Sequence, residues 1–491
     1  MYIPKPLPPA FTIARWVFAR ALGLVFLCAF GSLLPQIRGL IGAHGISPAQ
    51  TFLEAVWQRF GAASLWQVPT LAWLGAGDGV LLALCWAGVI LSLVMIAGVA
   101  PGACSLALWA LYLSLVSVSS PFLDFQWDAL LLETALLAAL ALPWRLHPQW
   151  ESAAPLPRFG RWLLWALLFR LMFESGLVKL GSGDPAWRNL TALDFHFATQ
   201  PLPLWTAWYA HHAPRWVLHG AVLIMFAFEL IVPFLIIAPR RWRHAGAWAL
   251  IALQGVIFAT GNYAFFNLLT IALCLLLFDD AAWPRWLRTR LLPPVRWPVP
   301  PVSPLRLRAC AAIAVSMALL SLPPLLYALG LGKAWGSPLA ALRSFNGYGL
   351  FAVMTKERPE IIIEGSNDGV VWQAYEFAWK PGDLRAAPRR AAPHQPRLDW
   401  QMWFAALGTP ERNPWFGWLL GHLLNGTPEV LGLLETNPFP NKPPQSVRAI
   451  LYTYRFTKPG DGGWWRREAQ AIYHAPASLT PLDGPAGTGK K

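Results

Sequence analysis

The sequence predicts a polytopic α-helical membrane bundle of about eight or nine spans, followed by a C-terminal, β-rich, sandwich-like extramembrane domain. Three observations support this fold class. Hydrophobic residues make up 56% of the 491 residues and charged residues 13%, against roughly 45–50% and 25% in soluble domains. Apolar runs recur up to residue 332. Strand-like patterns replace them beyond residue 335, so we divide the chain into a transmembrane domain, 1–335, and an extracytoplasmic domain, 336–476.

Nine apolar runs are candidate spans, because a helix needs roughly 20 residues to cross a bilayer. The run at 128–143 is short enough to be re-entrant, and the number of spans within 245–279 is open. No cleavable signal peptide is expected, because no small-residue cleavage motif follows the first run. The runs cover residues 14–34, 79–98, 102–118, 128–143, 160–179, 215–238, 245–262, 264–279 and 309–332.

The basic residues in the short loops predict the orientation. If the N-terminus is cytoplasmic, the inner loops carry 14 basic residues and the outer loops 3, in agreement with the positive-inside rule. The loop 180–214 and the C-terminal domain then share the outer face. Arginine far outnumbers lysine, which suits a bacterial protein. We therefore expect a bacterial inner membrane protein with a periplasmic C-terminal domain, or a lumenal one in the ER membrane for eukaryotic relatives.

The net charge of +14 does not indicate nucleic-acid binding, because the basic residues lie in short loops and no nucleic-acid-binding motif accompanies them. The segment 283–308 alternates arginine with tryptophan and proline. Such a strip beside a span is typical of an interfacial belt that touches anionic lipid headgroups.

Motifs for metals and for known enzyme classes are missing from the sequence. The five cysteines form no Cys-x-x-Cys pair, so neither a zinc site nor a dithiol centre is encoded. There is no P-loop, nucleophile elbow or His-Glu-x-x-His motif. His211 and His212 are adjacent, and adjacent side chains point to different sides and rarely hold one ion together. We expect no metal, and no cofactor motif is recognised.

Charged residues inside the run at 160–179 need partners, because an ionised group in hydrocarbon costs on the order of 3 kcal/mol or more. Arg170 and Glu174 are four residues apart on one helix face and can pair with each other. Lys179 lies at the helix end, before a glycine-rich break, and has no neutralising partner nearby in sequence.

Further carboxylates lie in other spans, namely Asp128 and Glu133 in the fourth and Glu229 in the sixth. They are either counterions for Arg170 and Lys179 or the walls of a polar cavity in the bundle. A lysine near carboxylates in a pocket of low dielectric constant can act as a base, although a structural ion pair has the same pattern.

The C-terminal pattern predicts a small β-sandwich with an inserted helical segment. Asn367-Asp368-Gly369 separates two β-rich runs, which is a strong hairpin signal. Further strands are expected at 447–456 and 464–474, and a helical segment at 400–434. The apolar face of that segment lies either on the membrane or in the core of the domain. Residues 477–491 are expected to be a disordered tail.

Long motifs recur along the chain. They are FQWDALLLETA (125–135), SGLVKLGSGDPAWRNLTALDFHFATQPLP (175–203), WYAHHAP (208–214), TGNYAFFNLLTIALCLLLFDD (260–280), FNGYGLFAVMT (345–355), RPEIIIEGSNDGVVW (358–372) and PRLDWQMWFAALG (396–408). These motifs closely resemble the lipase maturation factor family, and the resemblance covers about residues 11 to 474. It implies a multi-span membrane protein with a lumenal C-terminal domain, required for dimeric lipases to fold, assemble and leave the secretory compartment. It also implies a secreted, lipase-like client and membrane lipid as partners.

The pattern Gly176-Leu-Val-Lys179-Leu is followed by Asp184-Pro-Ala-Trp187. These dozen or so residues are similar to the corresponding helix end in the vitamin K-dependent carboxylase family and its bacterial relatives. That resemblance implies an alternative function, a membrane enzyme with Lys179 as the base and Glu174 or His196 beside it, in a cavity with room for a lipid or quinone. The other candidate residues of the cavity and the outer loop are Gln126, Asp128, Glu133, Arg170, Asp184, Trp187, Arg188, Asp194, His211, His212, Glu229 and Asn262.

Overall fold

The computed structural model describes residues 10–144, 146, 157–292, 304–331 and 339–479. Sixteen α-helices precede the C-terminal sheet in the described part of the chain. They are α1 (Thr12–Leu33), α2 (Ile37–Ile41), α3 (Ala49–Phe60), α4 (Ser64–Gln67), α5 (Asp78–Ala97), α6 (Pro101–Val118), α7 (Gln126–Ala141), α8 (Arg158–Gly181), α9 (Pro185–Arg188), α10 (Leu193–Thr199), α11 (Trp205–His211), α12 (Arg215–Leu230), α13 (Arg240–Thr260), α14 (Phe266–Leu275), α15 (Arg285–Leu291) and α16 (Pro304–Ala328).

Five helices among the described residues are long and apolar enough to cross a membrane. They are Thr12–Leu33, Asp78–Ala97, Pro101–Val118, Arg215–Ile237 and Ala311–Ala328. The other predicted spans also form helices, but α7 and α14 are short and α8 and α13 carry several charged residues. A mostly helical membrane protein is thus confirmed, and the count of eight or nine spans is not.

Helix α7 lies at the centre of the bundle, since most of its side chains are buried on every face. Its sequence explains this position, because a helix that is apolar all round has to be surrounded by protein or lipid. Helices α6 and α8 pack directly against it. The two acidic residues of α7, Asp128 and Glu133, are consequently held where water cannot reach them.

The C-terminal part is a four-stranded antiparallel sheet with helices on it. The strand order is β2-β1-β3-β4. The predicted hairpin is present, with Gly369 at φ 72°, the left-handed conformation that glycine adopts without strain. The elements are β1 (Arg358–Ser366), β2 (Gln373–Ala374), α17 (Arg397–Ala406), α18 (Pro414–Asn425), α19 (Pro428–Leu431), β3 (Ser446–Phe456) and β4 (Trp465–Ala477).

Two predictions for this domain have different outcomes. The β-sandwich is not confirmed, since residues 339–479 contain one extended sheet and helices, rather than a second sheet, pack on it. The inserted helical segment is present as α17, α18 and α19. Trp415, Phe416 and Leu419 of its apolar face are buried in the protein, whereas Trp418 of the same face is 53% exposed. Most of this face therefore belongs to the core.

Some predicted segments extend beyond the described residues. Residues 480–491 of the expected tail, 293–303 of the interfacial belt and Arg145 lie outside them. Within the described part of the belt, Arg285–Leu291 forms helix α15.

Candidate functional site

A buried ion pair joins the C-terminal domain to the centre of the bundle. The guanidinium of Arg397, at the start of α17, donates to both carboxylate oxygens of Asp128, at 2.6 and 2.9 Å. Both side chains are 1% exposed. Tyr112 of α6 donates its hydroxyl to Asp128 and accepts a hydrogen bond from Arg397 at 3.2 Å. A charged group of the domain therefore completes the polar core of the bundle.

A second buried cluster surrounds Arg170 on α8. It contacts Glu174 at 3.2 Å, as its spacing predicts, and also Glu133 of α7 at 2.9 Å. Tyr348 donates its hydroxyl to Glu133 at 2.7 Å and its backbone N–H to Glu174 at 2.8 Å. The backbone carbonyl of Asn346 accepts from Arg170. Glu133 and Glu174 thus both accept hydrogen bonds from Arg170 and from the segment that follows α16. The cluster therefore connects α7 and α8 to that segment.

Lys179 has a partner that is distant in sequence. Its ammonium lies 2.9 Å from both carboxylate oxygens of Glu229 on α12, 50 residues further along the chain. Its third hydrogen bond goes to the carbonyl of Ser175 at 3.2 Å. An ammonium has three N–H donors, so all of them are used. Asp128, Glu133 and Glu229 all serve as counterions for basic residues.

Beside this ion pair lies a partly open cavity of about 220 Å³. Most of its walls are apolar, and its polar groups include His196, Gln254 and Tyr263. The hydroxyl of Tyr263 donates to Gln200 at 2.9 Å and lies 3.2 Å from Nε2 of His196. The residues that line the cavity come from α8, α9, α10, α12, α13, the start of α14 with the turn before it, and the loop at residue 351.

His196 is held neutral in the wall of this cavity. Its burial, and secondarily the positive charge of Lys179, lower the pKa of the imidazole to about 4. A neutral imidazole accepts a hydrogen bond on one nitrogen and donates on the other, which leaves His196 able to orient an uncharged polar group.

Residues of the loop 180–214 hold the segment around residue 351 in place. Asp184 accepts hydrogen bonds from the backbone N–H of Ala186 at 2.9 Å and of Met354 at 2.6 Å. Burial opposes ionisation, but these two N–H donors together lower the pKa of Asp184. Trp187 donates to the carbonyl of Phe351 at 3.0 Å, and its ring lies 5.5 Å from the ammonium of Lys179. Together these contacts hold Trp187 and Phe351 in the wall of the cavity.

Other predicted residues lie elsewhere. Asn262 accepts from the backbone N–H of Ala391 at 2.8 Å, and so fixes a loop of the C-terminal domain. Asp194 lies 3.4 Å from His219. Burial and then the neighbouring His212 lower the pKa of His211, while Arg188 is exposed and Gln126 lines a different cavity. Among the described residues, no three His, Cys, Asp or Glu side chains are grouped as metal ligands.

The chain was then compared with known proteins. The profile described as "Lipase maturation factor transmembrane domain" matches residues 13–285, and "Lipase maturation factor C-terminal domain" matches residues 344–475. Human lipase maturation factor 2 is 37% identical, across 93% of this chain and 81% of the relative. Human lipase maturation factor 1 is 37% identical, across 96% and 89%. The chain belongs to the lipase maturation factor family.

The same family relationship extends beyond mammals. Lipase maturation factor 2 of Gallus gallus is 36% identical, across 92% of this chain and 80% of the relative. No solved structure matches the chain. The family and its apolar helices together establish an integral membrane protein of the lipase maturation factor family.

Three residues that bond to the buried polar groups were not among those predicted from the sequence. Arg397 pairs with Asp128, Tyr348 donates to Glu133, and the hydroxyl of Tyr263 lies beside His196. A signal for them was present, because each lies within a motif that carries the family resemblance: PRLDWQMW, FNGYG and TGNYAFF. Polar residues in otherwise apolar motifs are the ones to pair with buried charges.

Proposed function

We propose that this protein is an integral membrane maturation factor that assists the folding, assembly or export of a secreted, lipase-like client. The observation that carries the proposal is the firm attachment of the C-terminal domain to the helical bundle. Besides the Arg397–Asp128 pair, Arg358 at the start of β1 donates to the carbonyls of Ala198 at 3.0 Å and Pro201 at 2.7 Å. A rigid extramembrane platform beside the bilayer suits a protein that binds clients as they cross or leave the membrane.

We propose a topology that agrees with this role. The helices α1, α5, α6, α7, α8, α12, α13, α14 and α16 form a bundle of nine spans, with the N-terminus in the cytoplasm. The C-terminal domain then faces the periplasm of a bacterium or, in eukaryotic relatives, the ER lumen. The asymmetry of basic residues supports this orientation. A cytoplasm-only fluorescent reporter fused after residue 479 should be dark, and a bright fusion would reverse the orientation.

We also propose that the cavity beside Lys179 holds the tail of a neutral membrane lipid or a quinone. Its lining is largely apolar and its single ion pair is internally neutralised, so a charged headgroup would find no counterion there. An engineered apolar cavity of about 150 Å³ binds benzene, which shows that this volume suffices for part of an acyl chain. Ala221→Trp, in the cavity wall, should reduce the lipid that co-purifies with the protein, and unchanged lipid content would exclude this site.

The alternative function, a membrane enzyme with Lys179 as its base, places a different demand on the lysine. A base has to be deprotonated, but all three N–H donors of this ammonium are engaged with Glu229 and Ser175. Losing the proton would leave the carboxylate of Glu229 buried without a cation, which is energetically costly. The geometry therefore favours a structural ammonium.

Two substitutions at Lys179 separate the functions. Lys179→Arg keeps the positive charge but cannot lose a proton in a protein, so a structural role predicts a stable variant that still matures its client. Lys179→Ala leaves Glu229 unpaired and should lower the free energy of unfolding by roughly 3–5 kcal/mol. The assays are thermal denaturation in detergent and secreted lipase activity in a deletion strain. A well-folded Lys179→Arg protein that fails to restore lipase activity would support the enzyme instead.

A further inference from the structure

A groove of about 930 Å³ lies apart from Lys179 and from the Arg397–Asp128 pair, and it meets the Arg170 cluster only at Asn346. It lies at the ends of α6, α7 and α16 that are nearest the C-terminal domain, and the segment of α3 and α4 forms one of its walls. Its volume is near the upper end of the range for ligand-binding pockets, about 300–1,000 Å³. We call it the outer groove.

Apolar side chains form most of the wall of the outer groove. Phe52 and Val68 face it from α3 and the turn after α4, and Leu320 and Tyr327 from α16. Phe52 and Tyr327 are also exposed to solvent or lipid, so the groove is reachable from outside the protein. Apolar chains gain roughly 25 cal/mol per Å² when they are removed from water in such a place.

Two acceptors in the wall of the outer groove lack a donor within the protein. Oε1 of Gln126 is buried and has no partner in the described structure. Pro323 and Pro324 lie inside α16 and face the groove. Proline has no N–H, so the carbonyl four residues earlier loses its helical hydrogen bond. For Pro324 that carbonyl belongs to Leu320, which lies on the same groove-facing side of the helix.

An ion pair marks the rim of the groove. Arg343 donates to Asp124 at 2.5 Å, and the two side chains are 36% and 34% exposed. A guanidinium has five N–H donors, and this contact uses one of them. The rim therefore offers donors to a carbonyl oxygen, while the wall offers acceptors to an N–H group.

We propose that the outer groove binds a short, extended, apolar segment of the client polypeptide. A peptide main chain alternates N–H donors and carbonyl acceptors, and extended segments bind through these groups while side-chain pockets provide specificity. The acyl region of an ester lipid offers acceptors but no N–H donor, so it leaves Gln126 and Leu320 unsatisfied. The inference rests on the proposed function for the identity of the partner, but not for the chemistry of the groove.

The binding test uses the full-length protein in detergent micelles and a fluorescent peptide, acetyl-Leu-Val-Phe-Leu-Val-amide. We expect saturable binding by fluorescence anisotropy. The same peptide with its backbone nitrogens methylated keeps the side chains but loses the N–H donors. It should bind about tenfold more weakly or worse, since one lost hydrogen bond already costs about threefold to tenfold in affinity.

Three variants locate the binding. Ala341→Trp fills the groove from a loop that lines it and should abolish peptide binding. Gln126→Leu removes the unpaired acceptor at similar volume and should weaken binding about threefold to tenfold. Ala213→Trp is the matched control, because Ala213 is also half-buried in a loop but does not line the groove. Circular dichroism and thermal denaturation establish that each variant is folded before binding is compared.

The outcomes are distinct. Equal binding of the methylated peptide, or displacement of the peptide by a monoacylglycerol at the same concentration, would replace the peptide by a lipid and overturn the proposal. Unchanged binding to folded Ala341→Trp would overturn the location. Groove-specific binding supports the proposal even if the wild-type gene fails to restore lipase secretion in a deletion strain, and that failure would refute only the maturation function.

Discussion

Breaking the contact between Arg397 and Asp128 is the most direct test of how the two parts of the chain are held together. Arg397→Met removes the guanidinium and keeps the length of the side chain. The carboxylate of Asp128 would then be buried, 1% exposed, with only the hydroxyl of Tyr112 as a donor among its described partners. Removing one member of a buried pair costs about 3–5 kcal/mol, because the remaining charge stays desolvated.

The double variant Asp128→Asn with Arg397→Met tests the cause of that cost. It removes both charges, and replacing a buried pair by neutral groups is often nearly neutral in free energy. We therefore expect it to recover at least half of the loss. Arg389→Met is the matched control, since its pair with Glu435 has a similar distance, 2.6 Å, but the side chains are 52% and 40% exposed. Exposed pairs contribute about 0–1 kcal/mol.

The assay is denaturant-induced unfolding in detergent micelles, combined with limited proteolysis that reports release of the C-terminal domain. Arg397→Met should unfold at lower denaturant concentration and release the domain sooner than Arg389→Met. If the two single variants have the same free energy of unfolding, within about 1 kcal/mol, the buried pair does not anchor the domain. A double variant less stable than Arg397→Met would show that lost packing, rather than unpaired charge, causes the effect.

The remaining predictions concern pH and glycine positions. Burial lowers the pKa of His196 to about 4. The neutral imidazole therefore favours the folded state fully above the unfolded pKa near 6.5, and this stability is lost as the pH falls towards 4. Acidification from about pH 7 to 5 should cost about 2 kcal/mol at this site, and His196→Gln should remove that loss. Burial raises the pKa of Asp399 to about 6, against the opposing effect of two backbone N–H donors. The folded protein therefore takes up a proton here before the unfolded chain does, and stability increases as the pH falls through 6. Asp399→Asn loses this gain and should be more acid-sensitive than wild type in the same denaturation assay. Gly88→Ala should cost about 1–3 kcal/mol, because the new Cβ would lie 2.4 Å from the ring of Phe30. Gly417→Ala in α18 meets nothing within 4 Å and should stabilise by about 0.5–1 kcal/mol; thermal denaturation that gives both glycine variants the same sign would contradict the packing described.

The positions of the helices were predictable because their signal is local. Each of the nine apolar runs contains a helix, since a run of apolar residues is read directly from neighbouring positions. The pairing of Arg170 with Glu174 was predictable for the same reason, because residues four apart on a helix face each other. The hairpin at Gly369 likewise follows from turn chemistry within a few residues.

The partners of the buried charges were not predictable, because they are distant in the chain. Lys179 pairs with a residue 50 positions away, and Asp128 with one 269 positions away. A single sequence indicates that such charges need partners, but only the packing of helices decides which groups meet. The β-sandwich was expected for a related reason, since strand patterns give the number of strands but do not show that helices pack on the sheet instead of a second sheet.

The separation of Asp128 and Arg397 has a consequence for biogenesis. The ribosome synthesises Asp128 269 residues before it synthesises the arginine that neutralises it. At 5–20 residues per second, that interval lasts roughly 15–50 s. During this time the carboxylate of Asp128 on α7 lacks its arginine partner. We therefore expect the earlier helices to reach their final arrangement only after translation has passed residue 397. Assembly of the bundle is therefore coupled to the arrival of the last fifth of the chain.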